Sequence, residues 1–228
     1  MIVVYTGIPG SGKSQKMALL MVDVLYRNKK WFEKSGIKRK IVSNMKLNND
    51  IEKEFDGFIE YWSDIKTLIS YRDCDVFWDE IATDLDSTQW QNMSLNVKRW
   101  LQQHRKFGTD IYGTTQDFGM VDKSFRRMVE GLFILNKLVG SRDKSATRPT
   151  PKYIWGVVAV RSVDVKSYEK DANNPEIGFL PSFLFINRET IEIFDTTQEI
   201  KQSEFLPLNH TVRKCCMSGC DFTKVVHA

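Results

Sequence analysis

The pattern G-x-x-x-x-G-K-[ST] occupies residues 7–14 and constrains the fold of this chain more than any other feature. Residues 2–6, which precede it, are β-branched or aromatic and predict a buried strand. Residues 15–30, which follow it, place apolar side chains such as Met17 and Leu25 on one stripe and predict a helix. A glycine loop between a strand and a helix is the context in which this pattern binds phosphate. The alternative is a glycine-rich turn that binds nothing.

Each residue type in this loop suits a triphosphate. Glycines let the backbone curl, so that its N–H groups converge on a phosphate at the positive end of the following helix. We expect the Lys13 ammonium to bridge the β- and γ-phosphates and the Ser14 hydroxyl to bind Mg²⁺. The residues predicted to bind ATP are Gly7, Pro9, Gly10, Ser11, Gly12, Lys13, Ser14 and Gln15.

An acidic pair supplies the other half of such a site. Residues 74–78 form a largely apolar run that predicts a buried strand, and Asp79 and Glu80 follow it directly. We expect Asp79 to hold Mg²⁺ through a water molecule, and Glu80 to polarise the water that attacks the γ-phosphate. The alternative for an acidic pair at the end of a strand is a helix cap.

Gln116 ends the next strand, which is predicted over residues 109–115. We expect this strand to lie beside the one that leads to Asp79. The Gln116 amide would then hydrogen-bond the γ-phosphate or the attacking water. A side chain with its tip in solvent is the alternative.

Strands alternate with helices up to residue 135. Further strands are predicted at 40–44, 58–62 and 132–135, and helices at 63–70 with Ser63 as N-cap, at 92–107 and at 124–129. In the helix at 92–107, Leu95, Trp100 and Leu101 are predicted to face inward, and Gly108 to end it. This order predicts an α/β fold, a RecA-like P-loop NTPase with a mostly parallel sheet flanked by helices.

The pattern changes near residue 139. Residues 139–152 predict a polar loop, and 153–160, 183–186 and 191–194 predict strands of an antiparallel extension at about 153–195. We therefore expect one ATPase domain over residues 1–198, including that extension, and a C-terminal tail over residues 199–228.

The composition and the distribution of charge indicate which kinds of binding partner to expect. No run of about 18 apolar residues is present, so no membrane span is predicted, and no secretory signal precedes the first strand. Residues 98–152 carry 12 Lys and Arg against 5 Asp and Glu, and residues 27–40 carry 7 against one. Basic stretches near a nucleotide site favour a polyanion such as DNA, whereas a solvated charged face is the alternative.

Cysteine and histidine residues gather near the C-terminus. Cys216 and Cys220, with His210 and His227 on either side, could form one tetrahedral Zn²⁺ site, since thiolate and imidazole are the ligands that zinc prefers. The spacing is not that of a standard zinc finger, and Cys215 would be left over. Free thiols on a tail are the alternative.

Several of these motifs together resemble the Zot-like ATPases of filamentous phages, which belong to the HerA–FtsK superfamily of DNA-translocating motors. The matching residues are 7–14, 77–80, and 104–111 followed by Thr115 and Gln116. An arginine-bearing segment at 124–127 and a stretch at 193–197 follow in the order found in that family. The resemblance covers about residues 1–198.

The resemblance implies a homo-oligomeric ring, a hexamer or a pentamer, in which ATP hydrolysis moves DNA. It also implies an arginine that reaches across to the γ-phosphate bound by the neighbouring subunit. Arg105, Arg126 and Arg127 are the candidates. Arg105 is favoured because the end of its helix is expected near the carboxyl edge of the sheet; an ordinary surface arginine is the alternative.

Filamentous-phage members usually continue into a membrane span, and cellular members of the superfamily carry further domains; neither is recognised in this sequence. The expectation is therefore a viral ATP-driven DNA translocase that acts in genome packaging or virion assembly with capsid or assembly proteins. It would work in the host cytoplasm or the virion, and reach a membrane only through partners.

Four other functions use the same loop. These are a Zot-like ATPase of phage morphogenesis or extrusion, a small-molecule kinase, a morphogenesis factor that binds nucleotide without hydrolysis, and a helicase. A kinase needs a lid with paired arginines and an acceptor pocket, whereas the adjacent Asp79 and Glu80 favour hydrolysis by a bound water.

Overall fold

A computed structural model describes residues 1–142, 153–172, 175–178, 181–187, 190 and 193. The strands are β1 (Ile2–Thr6), β2 (Lys40–Ser43), β3 (Ile59–Tyr61), β4 (Cys74–Trp78), β5 (Asp110–Thr115), β6 (Gly131–Arg142), β7 (Tyr153–Val163) and β8 (Ser182–Ile186). The helices are α1 (Lys13–Ser35), α2 (Asn49–Glu54), α3 (Ala82–Leu85), α4 (Ser87–Asn92), α5 (Leu95–Gln102), α6 (Lys123–Arg126) and α7 (Val165–Lys170).

All of these strands belong to one sheet, in the order β3-β2-β4-β5-β1-β6-β7-β8. The six strands from β3 to β6 are parallel, and β7 and β8 pair antiparallel at one side. The predicted fold class is therefore confirmed, including the antiparallel C-terminal strands. Because β1, β4 and β5 run in the same direction and are neighbours, the residues that follow them meet at one edge of the sheet.

The core lies on both faces of the sheet. On one face α1 packs its predicted stripe, and Met17, Met21 and Leu25 are fully buried. On the other face the shorter helices cover β4 and β5, with Trp78 and Phe125 fully buried. Each large apolar side chain buried in this way stabilises the fold by about 1.5–3 kcal/mol.

The single helix predicted over residues 92–107 is wrong. The chain forms α4, breaks at Met93, and starts α5 under a cap from Ser94, whose hydroxyl accepts a hydrogen bond from the Val97 N–H at 3.5 Å. A 3₁₀ turn, His104–Phe107, then ends at Gly108 with φ 63°. Trp100 and Leu101 are buried as predicted, but Leu95 lies in the first turn of α5 and is 59% exposed. The Ser94 cap thus sets the start of α5 inside the residues predicted as one helix, and the 3₁₀ turn replaces the end of that helix.

Other element boundaries also differ from the prediction. The helix at 63–70 is a 3₁₀ helix, Ile65–Ser70, and its cap is Asp64, which accepts from the Lys66 N–H at 2.8 Å. Strand β6 continues to residue 142, into the predicted loop, because it pairs along its length with β7. Of the strand predicted at 191–194, only Ile193 is described, in a turn. The short helices α2, α3, α4 and α7 were not predicted.

No helix in the described part of the chain has the length and apolar character that crossing a membrane requires.

A buried ion pair fixes the edge of the sheet opposite the glycine loop. The Asp75 side chain on β4 is 5% exposed and accepts hydrogen bonds from Arg39 Nε and Nη2, both at 2.8 Å, and from Asn28 Nδ2 of α1 at 2.9 Å. Arg39 Nη1 also donates to the Gly108 carbonyl at 2.8 Å. The pair therefore joins α1, the start of β2, β4 and the turn before β5.

We expect Asp75→Ala to lower the free energy of unfolding by about 1.5–3 kcal/mol, because the half-buried Arg39 loses its buried carboxylate and keeps only the more exposed Asp110, 3.1 Å from Nη2, as an ion-pair partner. Urea denaturation measures this value. Asp23→Ala is the matched control, since Asp23 and Arg27 form an exposed pair at 3.9 Å on α1, and its effect should stay below about 0.5 kcal/mol. Equal losses in the two variants would contradict this role of Asp75.

Candidate nucleotide site

The glycine loop leaves the carboxyl end of β1 and closes tightly on its neighbours. A Cβ atom at Gly7 would lie 2.5 Å from the Leu135 carbonyl oxygen of β6. Gly12 has φ 90°, and a Cβ atom there would lie 3.3 Å from both Val158 of β7 and Ile186 of β8. Only glycine fits either position without a shift of these neighbours. The antiparallel strands thus support the loop from behind, while Pro9 and Gly10 lie exposed on its rim.

Lys13 folds back over this loop. Its side-chain nitrogen donates to the Gly7 carbonyl at 2.8 Å and lies 3.4 Å from the Ile8 carbonyl. Burial lowers the pKa of Lys13, and the nearby carboxylates of Glu80 and Asp79 oppose that change. A phosphate bound in the loop would accept the hydrogen bonds that the Lys13 ammonium now donates to the Gly7 and Ile8 carbonyls.

Ser14 and Asp79 meet across the site, although they are 65 positions apart in the chain. The Ser14 hydroxyl lies 3.2 Å from Asp79 Oδ2 and 3.4 Å from Oδ1. A hydroxyl and a carboxylate at this separation are the oxygen ligands that Mg²⁺ takes from a P-loop protein. The Ser11 hydroxyl within the loop is buried and has no hydrogen-bond partner among the described residues. This donor set therefore fits a magnesium–phosphate ligand.

Glu80 follows Asp79 in a left-handed backbone conformation with φ 53°. Burial raises the pKa of Glu80 and the neighbouring Asp79 raises it further, whereas the Lys13 charge and a hydrogen bond from the Gln116 side chain lower it. The structure thus brings Lys13, Ser14, Asp79, Glu80 and Gln116 together at one edge of the sheet. Their individual roles stay predictions.

Thr114 and Asn44 belong to the site and were missed from the sequence. Thr114, on β5, donates its hydroxyl hydrogen to Asp79 Oδ1 and accepts from the Glu80 N–H at 3.0 Å. Asn44, just after β2, accepts from the Asp79 N–H at 2.7 Å and donates to the Asp79 carbonyl at 3.0 Å. Both are polar residues at the ends of strands that flank β4. That position is the signal that could have identified them.

Gln15 lies beside the loop, where the chain returns after β8. Its side-chain amide donates to the Thr190 carbonyl, and the Asn48 N–H donates to the Ile193 carbonyl at 3.0 Å. The first contact places Thr190 next to the start of α1, and the second places Ile193 next to the start of α2. Gln15 therefore joins the loop to the C-terminal side of the sheet.

Arg105 does not lie where it was expected. Its guanidinium is 69% exposed and pairs with Glu130 at 2.8 Å, and Glu130 lies 3.8 Å from the Met1 amine. Met1 and Glu130 precede β1 and β6, so Arg105 is at the amino edge of the sheet, opposite the glycine loop. Arg105 was favoured because the end of its helix was expected near the carboxyl edge, and that expectation is wrong. The helical segment before β5 must return the chain to the start of β5, which lies at the amino edge. A role toward a neighbouring subunit stays a prediction.

Arg126 and Arg127 lie at the end of α6, after the strand that leads to Gln116. Arg126 is half-buried with its Nε 3.7 Å from a Glu169 oxygen, and Arg127 is exposed.

The predicted zinc ligands Cys216, Cys220, His210 and His227 lie outside the described residues, as does Cys215. Within the part of the chain that is described, no three His, Cys, Asp or Glu side chains form a metal-binding group.

Comparison with known proteins gives one family match. The model of the zonular occludens toxin (Zot) family matches residues 1–150. Sequence comparison with curated proteins found no match.

Solved structures are similar at low sequence identity. The N-terminal domain of zonular occludens toxin from Neisseria meningitidis is 18% identical, with a TM-score of 0.55 over 85% of this chain and 98% of that one. The genome packaging NTPase B204 from Sulfolobus turreted icosahedral virus 2 is 13% identical, with a TM-score of 0.48 over 77% and 95%. The first of these similarities shows the shared fold.

We expect Thr114→Val to lower ATP turnover by about 10²-fold while the affinity for nucleotide changes little, because the lost hydroxyl orients both Asp79 and Glu80. Steady-state kinetics and equilibrium binding of a fluorescent ATP analogue separate these two effects. Thr114→Ser keeps the hydroxyl and should restore most of the activity. If the serine variant is as slow as the valine variant, the hydroxyl does not act in this way.

Proposed function

Because the chain belongs to the zonular occludens toxin (Zot) family, we propose that it is a P-loop ATPase that couples ATP hydrolysis to DNA translocation during genome packaging or virion assembly. The observation that carries this proposal is the convergence of Lys13, Ser14, Asp79 and Glu80 at one edge of the sheet. In the proposed role the protein is a homo-oligomeric translocase of the HerA–FtsK type, acting in the host cytoplasm or the virion.

The residues divide the chemistry between them. The loop backbone binds the β- and γ-phosphates, and Lys13 leaves the Gly7 carbonyl to pair with their charge. Ser14 and Asp79 hold Mg²⁺, which, when bound, neutralises charge on the phosphate oxygens. Thr114 and Asn44 fix Asp79 by its carboxylate and by its backbone.

Glu80 acts on the attacking water. Its carboxylate accepts a proton as the water adds to the γ-phosphate, and its raised pKa strengthens it as a base. Gln116 holds that carboxylate through a hydrogen bond, and in the proposed role it responds when the γ-phosphate leaves. An arginine of the neighbouring subunit, Arg105, Arg126 or Arg127, completes the charge balance in the transition state.

The DNA part of the proposal is supported by the family and by the basic character of residues 98–152. DNA bound through its phosphates is held independently of sequence and weakened by salt. A small-molecule kinase would show turnover that depends on an acceptor and ignores DNA. The adjacent Asp79 and Glu80 favour the hydrolase.

We expect the wild-type protein to hydrolyse ATP faster when DNA is present, and Glu80→Gln to bind MgATP but to lose turnover by about 10²–10⁴-fold. A phosphate-release assay with and without DNA measures the rates, and light scattering measures the oligomer. Glu33→Gln, the same change on the exposed end of α1, is the control and should behave as wild type. A monomer whose turnover ignores DNA would contradict the translocase.

We expect Gln116→Ala to move the acidic limb of the pH profile of kcat/KM to higher pH. The Gln116 hydrogen bond lowers the pKa of Glu80, so its removal raises that pKa, and the deprotonated base then forms only at higher pH. Gln102→Ala, an exposed site on α5, should leave the limb in place. If kcat/KM falls equally at every pH, Gln116 acts on the nucleotide and not on Glu80.

A further inference from the structure

A second charged site lies between α6 and α7, away from the glycine loop. It is an open cavity of about 430 Å³ lined by Lys123, Arg126, Lys166, Glu169 and Lys170, called here the α6–α7 pocket. Four cationic side chains thus face one carboxylate. Such an excess of positive charge in a concave surface attracts an anion.

The one carboxylate does not neutralise these cations. Arg126 Nε is 3.7 Å from Glu169 Oε1, which is longer than a hydrogen bond, and it is buried without a hydrogen-bond partner among the described residues. In the same described part of the chain, Lys123, Lys166 and Lys170 form no ion pair. A half-buried guanidinium with an unused donor, flanked by free ammonium groups, is suited to phosphate oxygens.

We propose that the α6–α7 pocket binds the phosphate backbone of the DNA, an assignment that rests on the proposed function. Three of its cations are exposed lysines on two different helices, which act as point charges and suit a polymer of phosphates. Among the described residues no aromatic side chain lines the pocket, so these residues offer no platform for stacking bases. Binding at this pocket is therefore independent of base sequence.

The helices that form the pocket also contact the turn after Gln116, the residue that hydrogen-bonds Glu80. Arg126 lies over the Phe118 ring, 6.0 Å from its centroid, and the Tyr168 ring of α7 packs edge-on against the same ring at 5.7 Å. The Tyr168 hydroxyl donates to Asp117 Oδ1 at 3.4 Å. Of the two residues that follow Gln116, α6 thus contacts Phe118 and α7 contacts both Asp117 and Phe118. DNA that binds at Arg126 acts on the turn formed by Asp117 and Phe118. The rate of ATP hydrolysis therefore depends on whether DNA is bound.

A nucleotide bound by a neighbouring subunit also carries phosphate groups, so it is a second candidate ligand for the pocket. The open shape of the cavity and the three lysines favour a polymer. Turnover without DNA distinguishes the two sources, because a contact with the neighbour's nucleotide acts even when no DNA is present.

The test compares two double variants of equal charge change. Lys123→Gln/Lys166→Gln removes two cations from the pocket, and Lys53→Gln/Lys66→Gln removes two exposed lysines near β3, at the other end of the strand order. The probe is fluorescein-labelled oligodeoxythymidylate of about 30 nucleotides, titrated by anisotropy over a series of salt concentrations. The ATP turnover of each protein is measured with and without the same oligonucleotide.

We expect the pocket variant to bind the oligonucleotide about tenfold more weakly and to lose the acceleration by DNA. The slope of log affinity against log salt should become shallower by about 1.4, because each lost phosphate contact on a single strand contributes about 0.7. The control variant should resemble wild type in both measurements. Lys123→Arg/Lys166→Arg, which keeps the charge, should restore binding.

Four results would contradict the proposal, in three different ways. Wild type that turns over ATP but binds no DNA contradicts the proposed function itself. Wild-type affinity and slope in the pocket variant contradict only the pocket, and so does an equal loss in the control variant. Unchanged DNA affinity with slower turnover in the absence of DNA assigns the pocket to the neighbour's nucleotide and overturns the proposal.

Discussion

Parallel pairing of β1 with β5, and of β5 with β4, is the constraint on which the rest of the site depends. It sets Thr6 opposite Thr115 and Trp78 opposite Gly113, so that the glycine loop, Asp79 and Gln116 leave the sheet at the same edge. Parallel strands need a crossover between each pair, and the helices that make these crossovers also bury both faces. The same pairing therefore builds the core and the candidate site.

Asp79 and Glu80 lie in a strained backbone turn, which hydrogen bonds to Thr114 and Asn44 stabilise. A left-handed backbone at a residue other than glycine, as at Glu80, costs about 1–3 kcal/mol and persists only where the surroundings enforce it. Here Thr114 accepts from the Glu80 N–H, and Asn44 holds the peptide groups of Asp79 on both sides. The result is a turn that sends Asp79 toward Ser14 and Glu80 toward Gln116. The α6 and α7 helices, which form the pocket proposed to bind DNA, pack on Phe118, two residues after Gln116.

Local sequence predicted those parts in which neighbouring residues act together. The glycine loop, the buried strand before Asp79 and the strand before Gln116 each follow from a short continuous pattern, and the structure has all three. Prediction failed where two local signals compete or where a distant strand decides. Ser94 starts α5 inside the residues predicted as one helix, and β6 extends beyond its apolar stretch because β7 pairs with it.

The sequence by itself determined that a glycine loop with the phosphate-binding pattern and an acidic pair exist, because the motif requires only residues adjacent in the chain. Tertiary structure alone decided which groups surround them. Asn44, Thr114 and the supporting side chains of β7 and β8 reach the loop or Asp79 through strand pairing across the sheet. It also decided that Arg105 lies at the amino edge, because the direction in which a chain returns to its next strand is a property of the whole sheet.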